Sequence, residues 1–333
     1  MGDGWSAPAG ISVKRCWPAG SRPGPDATRT GITSEGATVP RTYELGGIGV
    51  VNATPLTASG EINLREYRRH VHWLADEGVR FLQPAAATGQ MLQTTEGEYR
   101  RLLEATVDEV GDRVFVTAYS GRASTDETIR LTRLAKEIGA HAAFIIQPYF
   151  SRPDPEGIYL HYRAVAEAVD LPIVFYNNPD RAGVNLPIDI MERLVAESDR
   201  FVGLKQSDLN QLADSFLRLG SRIRVMAKSE KEILMGLALG APGALTFAGN
   251  IVPGRLVQIL DAWNRGDHDV ARRLFYRILP LINIIHIEPV PAAVKHMLNR
   301  LGWDFGQPRL PSHPLSADHA QAVDRVLREL ELM

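Results

Sequence analysis

Cysteine and lysine are both scarce in this chain of 333 residues. The single cysteine, Cys16, excludes an internal disulfide framework and any metal site that needs several cysteines. Lysine and arginine together number 37, so with so few lysines the positive charge is mostly arginine. A lysine inside a predicted strand is therefore a scarce residue in an unlikely place. The lysines are Lys14, Lys136, Lys205, Lys228, Lys231 and Lys295.

Strong net charge and long apolar runs are also missing. The formal net charge of -2 gives no electrostatic reason to expect a nucleic acid or an anionic membrane as partner. No uninterrupted apolar run approaches the roughly 18 residues of a membrane helix, and the N-terminus lacks the apolar core and cleavage site of a secretory signal. With 44% hydrophobic and 23% charged residues, the composition is typical of a soluble globular protein. We therefore predict a cytoplasmic enzyme.

Residues 1–42 have a different composition from the rest of the chain. They are rich in glycine, proline, serine, threonine and alanine, as in Pro18–Pro25. Such a segment buries too little apolar surface to offset the entropy lost on ordering. We predict a flexible N-terminal extension, and the weaker alternative is an arm that packs on a neighbouring subunit.

From Gly47 onward, short apolar runs alternate with amphipathic helical patterns. The predicted strands are Ile48–Ala53, Val79–Pro84, Val114–Ala118, Ala142–Gln147, Pro172–Tyr176, Phe201–Lys205, Ile223–Met226 and Ala244–Phe247. The helices that follow them are Leu64–Glu77, Thr95–Val110, Ser124–Ile138, Glu156–Val169, Pro187–Glu197, Leu209–Leu219, Glu230–Leu239 and Pro253–Trp263. Both Thr95 and Ser124 open their helices with the spacing of a capping box.

This alternation predicts parallel strands with right-handed crossovers. Eight units over about 220 residues fit a (β/α)8 TIM barrel. An open doubly wound sheet is the competing fold, but the glycine-rich nucleotide signature that it often carries is absent. Three further helices are predicted over Asp269–Ile285, Val290–Leu301 and Ala317–Leu332. We expect a barrel domain over residues 43–266 and a small C-terminal helical domain over residues 267–333.

The predicted strand Phe201–Lys205 ends in a lysine, which is unusual for a buried parallel strand. An ammonium group there costs several kcal/mol unless it is paired or neutralised. Lysine responds to burial by lowering its pKa, and the neutral amine is the nucleophile that a Schiff-base enzyme needs. The structural alternative is a lysine whose charged end reaches solvent.

Further polar residues follow the predicted strands, where the active site of a TIM barrel lies. Lys205 would form an imine with a 2-oxo acid, and Tyr176, which ends the neighbouring strand, would transfer protons. Thr88 and the backbone N–H groups around Gly89 would hold a carboxylate, and Arg181 would bind a second carboxylate bidentately. Each residue alone has a structural alternative, namely a turn, a core aromatic or a surface arginine. Their occurrence together on successive strands favours a site.

Histidine gives no comparable signal. His70 and His72 share one predicted helix and His141 begins a strand, but none has carboxylate or cysteine neighbours at the spacing of metal ligands. We interpret them as structural or surface residues and predict no metal site.

An ordered set of motifs runs from residue 46 to residue 302. They are Ala53–Thr57 with Gly60, His70–Gly78, Ala87–Gln90, Pro148–Phe150 with Pro155–Gly157, Tyr176–Pro179 with Arg181 and Gly183, Val202–Lys205, Ala248–Asn250, and Glu288–Pro291 with Val294 and Lys295. In order and spacing this set resembles the dihydrodipicolinate synthase / N-acetylneuraminate lyase family of class I, pyruvate-dependent aldolases.

The resemblance implies a (β/α)8 barrel with a C-terminal helical domain, commonly assembled as dimers or tetramers of dimers. It implies that Lys205 is the Schiff-base lysine and Tyr176 the general acid/base. It also implies that a small 2-oxo acid is the substrate and that no metal or organic cofactor is needed, while Lys295 looks like the family's non-catalytic lysine. The candidate substrate-binding residues are Thr88, Ala87, Gly89, Arg181, Leu245, Lys228, Phe150 and Asn250.

Three positions depart from the family pattern. The usual Gly-Thr-Thr-Gly-Glu reads Ala86–Gln90 here, so Ala87 replaces a threonine whose hydroxyl belongs to the proton relay of the synthases. Phe150 stands where those synthases place a second relay tyrosine, which is lent across a subunit interface. Lys228 stands where a glycine near the bound substrate is usual. It would either add a cation for a further anionic group or fit the pocket to a smaller substrate.

These departures shape the functional prediction. The leading hypothesis is a Schiff-base lyase that performs an aldol cleavage or condensation with pyruvate, or dehydrates a 2-oxo-3-deoxy sugar acid. The two missing relay hydroxyls argue against the lysine-pathway dihydrodipicolinate synthase, which is one alternative. The other is a barrel that has lost catalysis and serves as a binding or regulatory protein.

Overall fold

The structure, a computed structural model, describes residues 45–333, and its eight parallel strands close into a barrel. The strands are β1 (Gly47–Val51), β2 (Phe81–Gln83), β3 (Phe115–Tyr119), β4 (Ala142–Ile146), β5 (Ile173–Asn177), β6 (Phe201–Gln206), β7 (Arg224–Ala227) and β8 (Gly243–Thr246). Each strand pairs with its neighbours in sequence, and β8 closes on β1. The predicted (β/α)8 TIM barrel is confirmed.

Helices accompany the strands and continue beyond them. Those within the barrel units are α1 (Leu64–Asp76), α2 (Glu96–Val110), α3 (Thr125–Ile138), α4 (Pro155–Ala168), α5 (Pro179–Ala182), α6 (Ile188–Glu197), α7 (Leu212–Leu219), α8 (Ile233–Ala238) and α9 (Pro253–Asn264). The C-terminal segment contributes α10 (His268–Ile284), α11 (Ala292–Arg300) and α12 (Ala317–Glu329). None of the helices described is both long and apolar enough to cross a membrane.

The two predicted capping boxes have different outcomes. At the start of α2, Glu98 donates its backbone N–H to the Thr95 hydroxyl, and its carboxylate accepts the N–H of Thr95 at 2.9 Å. At the start of α3, the Ser124 hydroxyl accepts the N–H of Glu127, but the reciprocal bond is not made. The Glu127 carboxylate accepts hydrogen bonds from Arg130 instead. The exposed Arg130, one turn later, therefore binds the Glu127 carboxylate that would otherwise complete the capping box.

Alternate residues of the strands fill the barrel interior. The interior cluster includes Val51, Phe81, Phe115, Tyr119, Phe144, Ile146, Val174, Tyr176, Met226 and Leu245. Glycine is required at position 49, because a Cβ there would lie 2.2 Å from the ring of Phe81. Since side chains alternate along a strand, the interior positions at the C-terminal strand ends face the mouth of the barrel.

Several element bounds differ from the sequence prediction. The strand predicted to reach Pro84 ends at Gln83, because proline has no N–H to give to the ladder. In the other direction, β6 continues past Lys205 to Gln206. Helix α11 begins at Ala292 rather than Val290, since a residue before proline is disfavoured in helical conformation.

The C-terminal helices share an apolar core with one side of the barrel. α10 packs along α9, and α12 packs on α10 and α11. Their buried side chains form one cluster with residues of β1, β8 and α9. Arg309, beyond α11, donates to the Glu98 carboxylate of α2 and to the carbonyl of Gly60. Residues 45–333 belong to one compact unit, and the predicted extension over residues 1–42 lies outside the described residues.

Candidate active site

Lys205 lies near the C-terminal end of β6 and is only 3% exposed. The β5–β6 ladder pairs it with Tyr176, so the two residues are neighbours in the barrel wall. The Nζ atom of Lys205 lies 5.1 Å from the centre of the Tyr176 ring and 5.5 Å from that of Phe247. The amine therefore lies beside two aromatic rings and is largely shielded from bulk solvent.

The pKa of Lys205 is lowered from its ordinary value of 10.5 to about 8, chiefly by burial. The Glu230 carboxylate opposes this effect, and the cations of Arg181 and Lys228 add to it. At pH 7 roughly a tenth of the amine is then unprotonated, against about one part in three thousand for an ordinary lysine. Burial of Lys205 is unfavourable for the stability of the fold, and the same burial increases the fraction of neutral, nucleophilic amine.

Glu230 is a site residue that the sequence analysis missed. Its carboxylate is buried and accepts the backbone N–H groups of Phe247 at 3.1 Å and Ala248 at 2.7 Å. Burial raises the pKa of Glu230. In the sequence, Glu230 is one of several charged residues at the start of a predicted helix. Its carboxylate points toward the barrel only because β7 pairs with β8, whose following loop supplies the N–H groups. It fixes the loop that carries Phe247 against Lys205.

Tyr176 presents a protonated hydroxyl beside the amine. Burial raises the pKa of Tyr176, while a hydrogen bond from Asn178 and the cation of Arg181 act in the opposite direction. The Asn178 Nδ2 atom donates to the Tyr176 hydroxyl oxygen at 2.7 Å. The Asn178 Oδ1 atom accepts the backbone N–H of Arg181 and so caps α5. This short helix was not predicted from the sequence, and it determines the position of Arg181. This arrangement suits a group that donates and recovers a proton.

A cavity of about 460 Å³ opens beside Lys205 and Tyr176. Its wall carries an excess of cations. The pKa of His286 is lowered by the burial of its own side chain and by the nearby cations of Lys228, Lys231 and Arg181. Lys228 is 39% exposed and lies 3.5 Å from the exposed carboxylate of Asp180. The lining residues are Tyr176, Asn178, Asp180, Arg181, Lys205, Lys228, Ser229, Lys231, Glu232, Phe247 and His286.

A second cavity of about 360 Å³ shares Tyr176, Asp180 and Arg181 with the first. Ala87 lines it, together with the tyrosines Tyr119 and Tyr149. The shared residues make the two cavities adjoining parts of one site at the C-terminal end of the barrel. Ala87 and Lys228, two of the positions that depart from the family pattern, thus lie on different sides of Tyr176.

The segment around Thr88 and Gly89 has an unused hydrogen-bonding group. The Oγ1 atom of Thr88 is fully buried and has no hydrogen-bond partner among residues 45–333. Glycine is needed at position 89, since a Cβ would lie 3.0 Å from both the Cα of Ala85 and the Oγ1 of Thr54. Thr54 also donates to the carbonyl of Gly89 at 3.1 Å, which holds the loop in place. Neither Thr88 nor Gly89 lines the two cavities described above, so their contact with a carboxylate stays a prediction.

Besides Thr88 and Gly89, three more predicted substrate-binding residues do not line either of the two cavities. Phe150 has a φ of 71° and is 95% exposed, so its ring does not enter the site of its own chain. Leu245 is buried in the barrel interior. The amide of Asn250 bonds to the backbone of Ala53, Val51 and Phe247, which ties the end of β1 to the loop after β8. Its polar atoms therefore hold the scaffold.

Two further cavity residues were missed, for different reasons. Tyr119 ends β3 on the interior face, so the strand-end rule that found Tyr176 also applies to it. His286 follows α10, and no local pattern in the sequence relates it to the barrel. His70 is buried with its Nε2 atom 3.0 Å from the carbonyl of Asn250, in a structural setting. Within residues 45–333 no group of three or more histidine, cysteine or acidic side chains could hold a metal ion.

Comparisons with known proteins agree with this geometry. The sequence profile of the Dihydrodipicolinate synthetase family matches residues 44–330. The 4-hydroxy-tetrahydrodipicolinate synthase of Thermodesulfovibrio yellowstonii is 33% identical over 276 residues, which cover 82% of this chain and 94% of that protein. The enzyme of the same name from Pelobacter propionicus is 35% identical, with 82% and 95% covered.

Solved structures give the same result. Dihydrodipicolinate synthase from Aquifex aeolicus superposes with a TM-score of 0.84 at 30% identity, over 86% of this chain and 99% of that one. The enzyme from Acinetobacter baumannii, solved in complex with pyruvate, also has a TM-score of 0.84, at 29% identity and with 87% and 100% covered.

Proposed function

Because the chain belongs to the dihydrodipicolinate synthetase family, we propose that it is a lyase that forms a Schiff base between Lys205 and pyruvate or another 2-oxo acid. The observation that carries this proposal is the amine of Lys205, buried against Tyr176 at the edge of a cavity and with a pKa of about 8. Trapping of the imine by borohydride tests it. The chemistry needs no metal or organic cofactor, since the protonated imine is itself the electron sink.

In the proposed cycle, neutral Lys205 attacks the ketone carbon of the 2-oxo acid. One proton from the attacking nitrogen and one from the Tyr176 hydroxyl pass to the oxygen of the adduct, the C–O bond breaks, and water leaves as the protonated imine forms. Loss of a proton from the adjacent carbon gives an enamine, which attacks an aldehyde or, in the reverse direction, results from C–C cleavage. The loop that carries Ala87, which lines the smaller cavity, would hold the carboxylate of the substrate through its N–H groups and the Thr88 hydroxyl.

The cation-rich side of the site would bind the distal part of the substrate. Arg181 and Lys228 line the cavity that contains Lys205, and the ion pair of Lys228 with exposed Asp180 is long enough for an anion to compete. His286 and Lys231 complete this wall. A substrate with a second carboxylate would meet positive charge there, and the same charge favours the neutral form of Lys205.

Two reactions remain for the partner substrate, each favoured by its own observation. The names of the relatives favour synthesis of 4-hydroxy-tetrahydrodipicolinate. Ala87 and Phe150 favour an aldol cleavage, a condensation or a sugar-acid dehydration, because the relay hydroxyls of the synthases are missing at both positions. An assay for the product in the relatives' name, run beside a panel of aldehydes with pyruvate and of 2-oxo-3-deoxy sugar acids, separates them. The exposed ring of Phe150 is consistent with a homo-oligomer.

A barrel without catalysis is the remaining alternative, and the missing hydroxyls are its motivation. Retention of a buried amine beside Tyr176 weighs against it, because burial of that amine is unfavourable for stability. The absence of a borohydride adduct with pyruvate and with a panel of other 2-oxo acids would favour this alternative.

The initial rate of imine formation is expected to rise with pH and to reach half its plateau near pH 8. Protonated Lys205 has no lone pair, so its pKa of about 8 sets the midpoint. The measurement is borohydride trapping of pyruvate after short incubations between pH 6 and pH 10. Glu230→Gln removes the charge that stabilises the ammonium and is expected to move the midpoint to lower pH. A midpoint near 10, the range of an ordinary lysine, would contradict the lowered pKa.

Lys228→Ala is expected to weaken imine formation with 2-oxoglutarate and to leave that with pyruvate nearly unchanged. The second carboxylate of 2-oxoglutarate loses one charged partner, which raises its half-saturating concentration about tenfold. Trapping yield as a function of 2-oxo acid concentration measures this. Lys136→Ala, an exposed lysine on α3 that pairs with Asp170, is the control. If Lys228→Ala and wild type had equal half-saturating concentrations with pyruvate and with 2-oxoglutarate, Lys228 would not bind the second carboxylate.

A further inference from the structure

Tyr119 is a buried tyrosine at the site that the cycle above does not use. It ends β3 on the interior face of the barrel and lines the smaller cavity together with Ala87, Tyr149 and Tyr176. The centres of the Tyr119 and Tyr176 rings lie 6.5 Å apart, and their planes meet at 77°. The two tyrosines are therefore edge-to-face neighbours on the same cavity wall.

The proton on Tyr176 must be exchanged with the surroundings in every cycle. Tyr176 is buried, and its hydroxyl accepts a hydrogen bond at 2.7 Å from Asn178, an amide that donates but does not relay a proton. The side chains at Ala87 and Phe150 carry no hydroxyl, and the ring of Phe150 is in solvent. Tyr176 itself lines both cavities and reaches them without a relay, but a second hydroxyl group beside it would replace the two relay hydroxyls of the synthases.

We propose that the hydroxyl of Tyr119 is this group and that it relays protons between Tyr176 and the water of the cavity. This inference rests on the proposed Schiff-base function. Tyr119 acts through Tyr176 and not on the substrate directly. It takes the place of the hydroxyls that Ala87 and Phe150 lack.

The proposed transfer is balanced at each atom. When Tyr176 gives its proton to the departing oxygen of the adduct, a water between the two rings gives a proton to the Tyr176 oxygen and takes the proton of Tyr119. A second cavity water then returns a proton to Tyr119. When Tyr176 instead takes up a proton, the same transfers run in the opposite order. Each hydroxyl ends as it began, and the net event is movement of one proton between the substrate and water.

The electrostatic surroundings of Tyr119 are compatible with this role. Burial and the neighbouring Tyr176 raise the pKa of Tyr119, while the cations of Arg122 and Arg181 act in the opposite direction. Both tyrosines thus remain protonated at neutral pH, and a phenolate on either would be short-lived. Among the hydrogen bonds of residues 45–333 none joins the two hydroxyls directly, so the transfer is a concerted shift through a water of the cavity that both residues line.

Ser207 is the rival relay group. Its hydroxyl is buried and lies close enough to Tyr176 to lower the pKa of that residue. Ser207 does not line either cavity of the site, whereas Tyr119 does. A proton passed to Ser207 would therefore have no exit to water, and the structure favours Tyr119.

The test uses exchange of the C3 protons of pyruvate for deuterium in D2O, followed by NMR. This exchange passes through the imine and enamine and needs no aldehyde. Tyr119→Phe keeps the ring and removes the hydroxyl, so it is expected to slow exchange by roughly tenfold to a hundredfold. The half-saturating pyruvate concentration, the final yield of borohydride adduct and the melting temperature are expected to stay close to those of wild type.

Two further variants make the result specific. Tyr99→Phe removes a buried hydroxyl that lies in the shell between the barrel and its helices, and it is expected to exchange at the wild-type rate. Ala87→Thr, placed in the Tyr119→Phe background, restores a hydroxyl to the same cavity and is expected to recover most of the lost rate.

The outcomes separate this inference from the function on which it rests. Exchange by Tyr119→Phe within twofold of wild type overturns the relay, as does a loss that Ala87→Thr leaves unrestored. A loss with Ser207→Ala and none with Tyr119→Phe assigns the relay to Ser207 and also overturns the proposal. If wild type itself gives no adduct with any 2-oxo acid, the Schiff-base function fails, whatever the Tyr119 variants do.

Discussion

Lys205→Ala is expected to abolish imine formation and to lower turnover by a factor on the order of 10⁴ or more, because no other group replaces a covalent nucleophile. The variant is expected to fold, with a melting temperature equal to or above that of wild type. Lys205 is buried between the rings of Tyr176 and Phe247, and removing an amine from such a place relieves a desolvation cost. Borohydride trapping, turnover and thermal unfolding measure the three effects.

Lys295→Met is the matched control for that variant. Lys295 is also buried, and burial lowers its pKa to about 7, but its Nζ atom donates to the carbonyl of Gln307 at 2.9 Å in the C-terminal segment. The variant is expected to keep the adduct on Lys205 and to lose about 1–3 kcal/mol of stability, because that carbonyl loses its donor. An adduct that survives Lys205→Ala and disappears in Lys295→Met would show that the wrong lysine has been chosen.

Tyr176→Phe is expected to lower turnover by roughly 10²–10⁴, the usual contribution of a general acid or base. The ring that packs against the Lys205 amine is retained, so the trapped adduct is expected to form slowly but to reach the wild-type yield. The loss should therefore be found in kcat and in the rate of imine formation, with KM changed little. Stopped trapping experiments and steady-state kinetics on the same preparation separate these quantities.

Tyr162→Phe provides the comparison for Tyr176→Phe. The Tyr162 hydroxyl is buried and donates to the carbonyl of Ile145 at 2.9 Å, behind the barrel wall. Its removal is expected to reduce stability and not the rate of imine formation. If Tyr176→Phe kept turnover within a factor of about three of wild type, the role of Tyr176 as proton donor would be wrong.

The sequence predicts the barrel and the two central residues for one physical reason. The strands of a closed parallel barrel end at a common rim, so Lys205 and Tyr176 at successive strand ends had to become neighbours, as their pairing in the ladder shows. The same rule applies to Tyr119 and was not used for it. A tyrosine at the end of β3 looks like an ordinary core residue until the cavity beside it is seen.

The remaining site residues depend on tertiary contacts that no local pattern encodes. The inward carboxylate of Glu230 depends on backbone N–H groups of the loop after β8, and His286 comes from the C-terminal segment. Some predicted residues have another role in the structure. Asn250 matches a family motif, but its side-chain amide forms its hydrogen bonds with backbone groups. Phe150 follows a strand like the others, yet its backbone turns the ring into solvent.

Reduction with borohydride in the presence of pyruvate, followed by mass spectrometry of the peptides, tests the central claim most directly. The account predicts a single stable N-(1-carboxyethyl) group on the lysine of the peptide that contains Lys205, and none in Lys205→Ala. No adduct with pyruvate or with any of a panel of 2-oxo acids, or an adduct on another lysine that persists in Lys205→Ala, would contradict it.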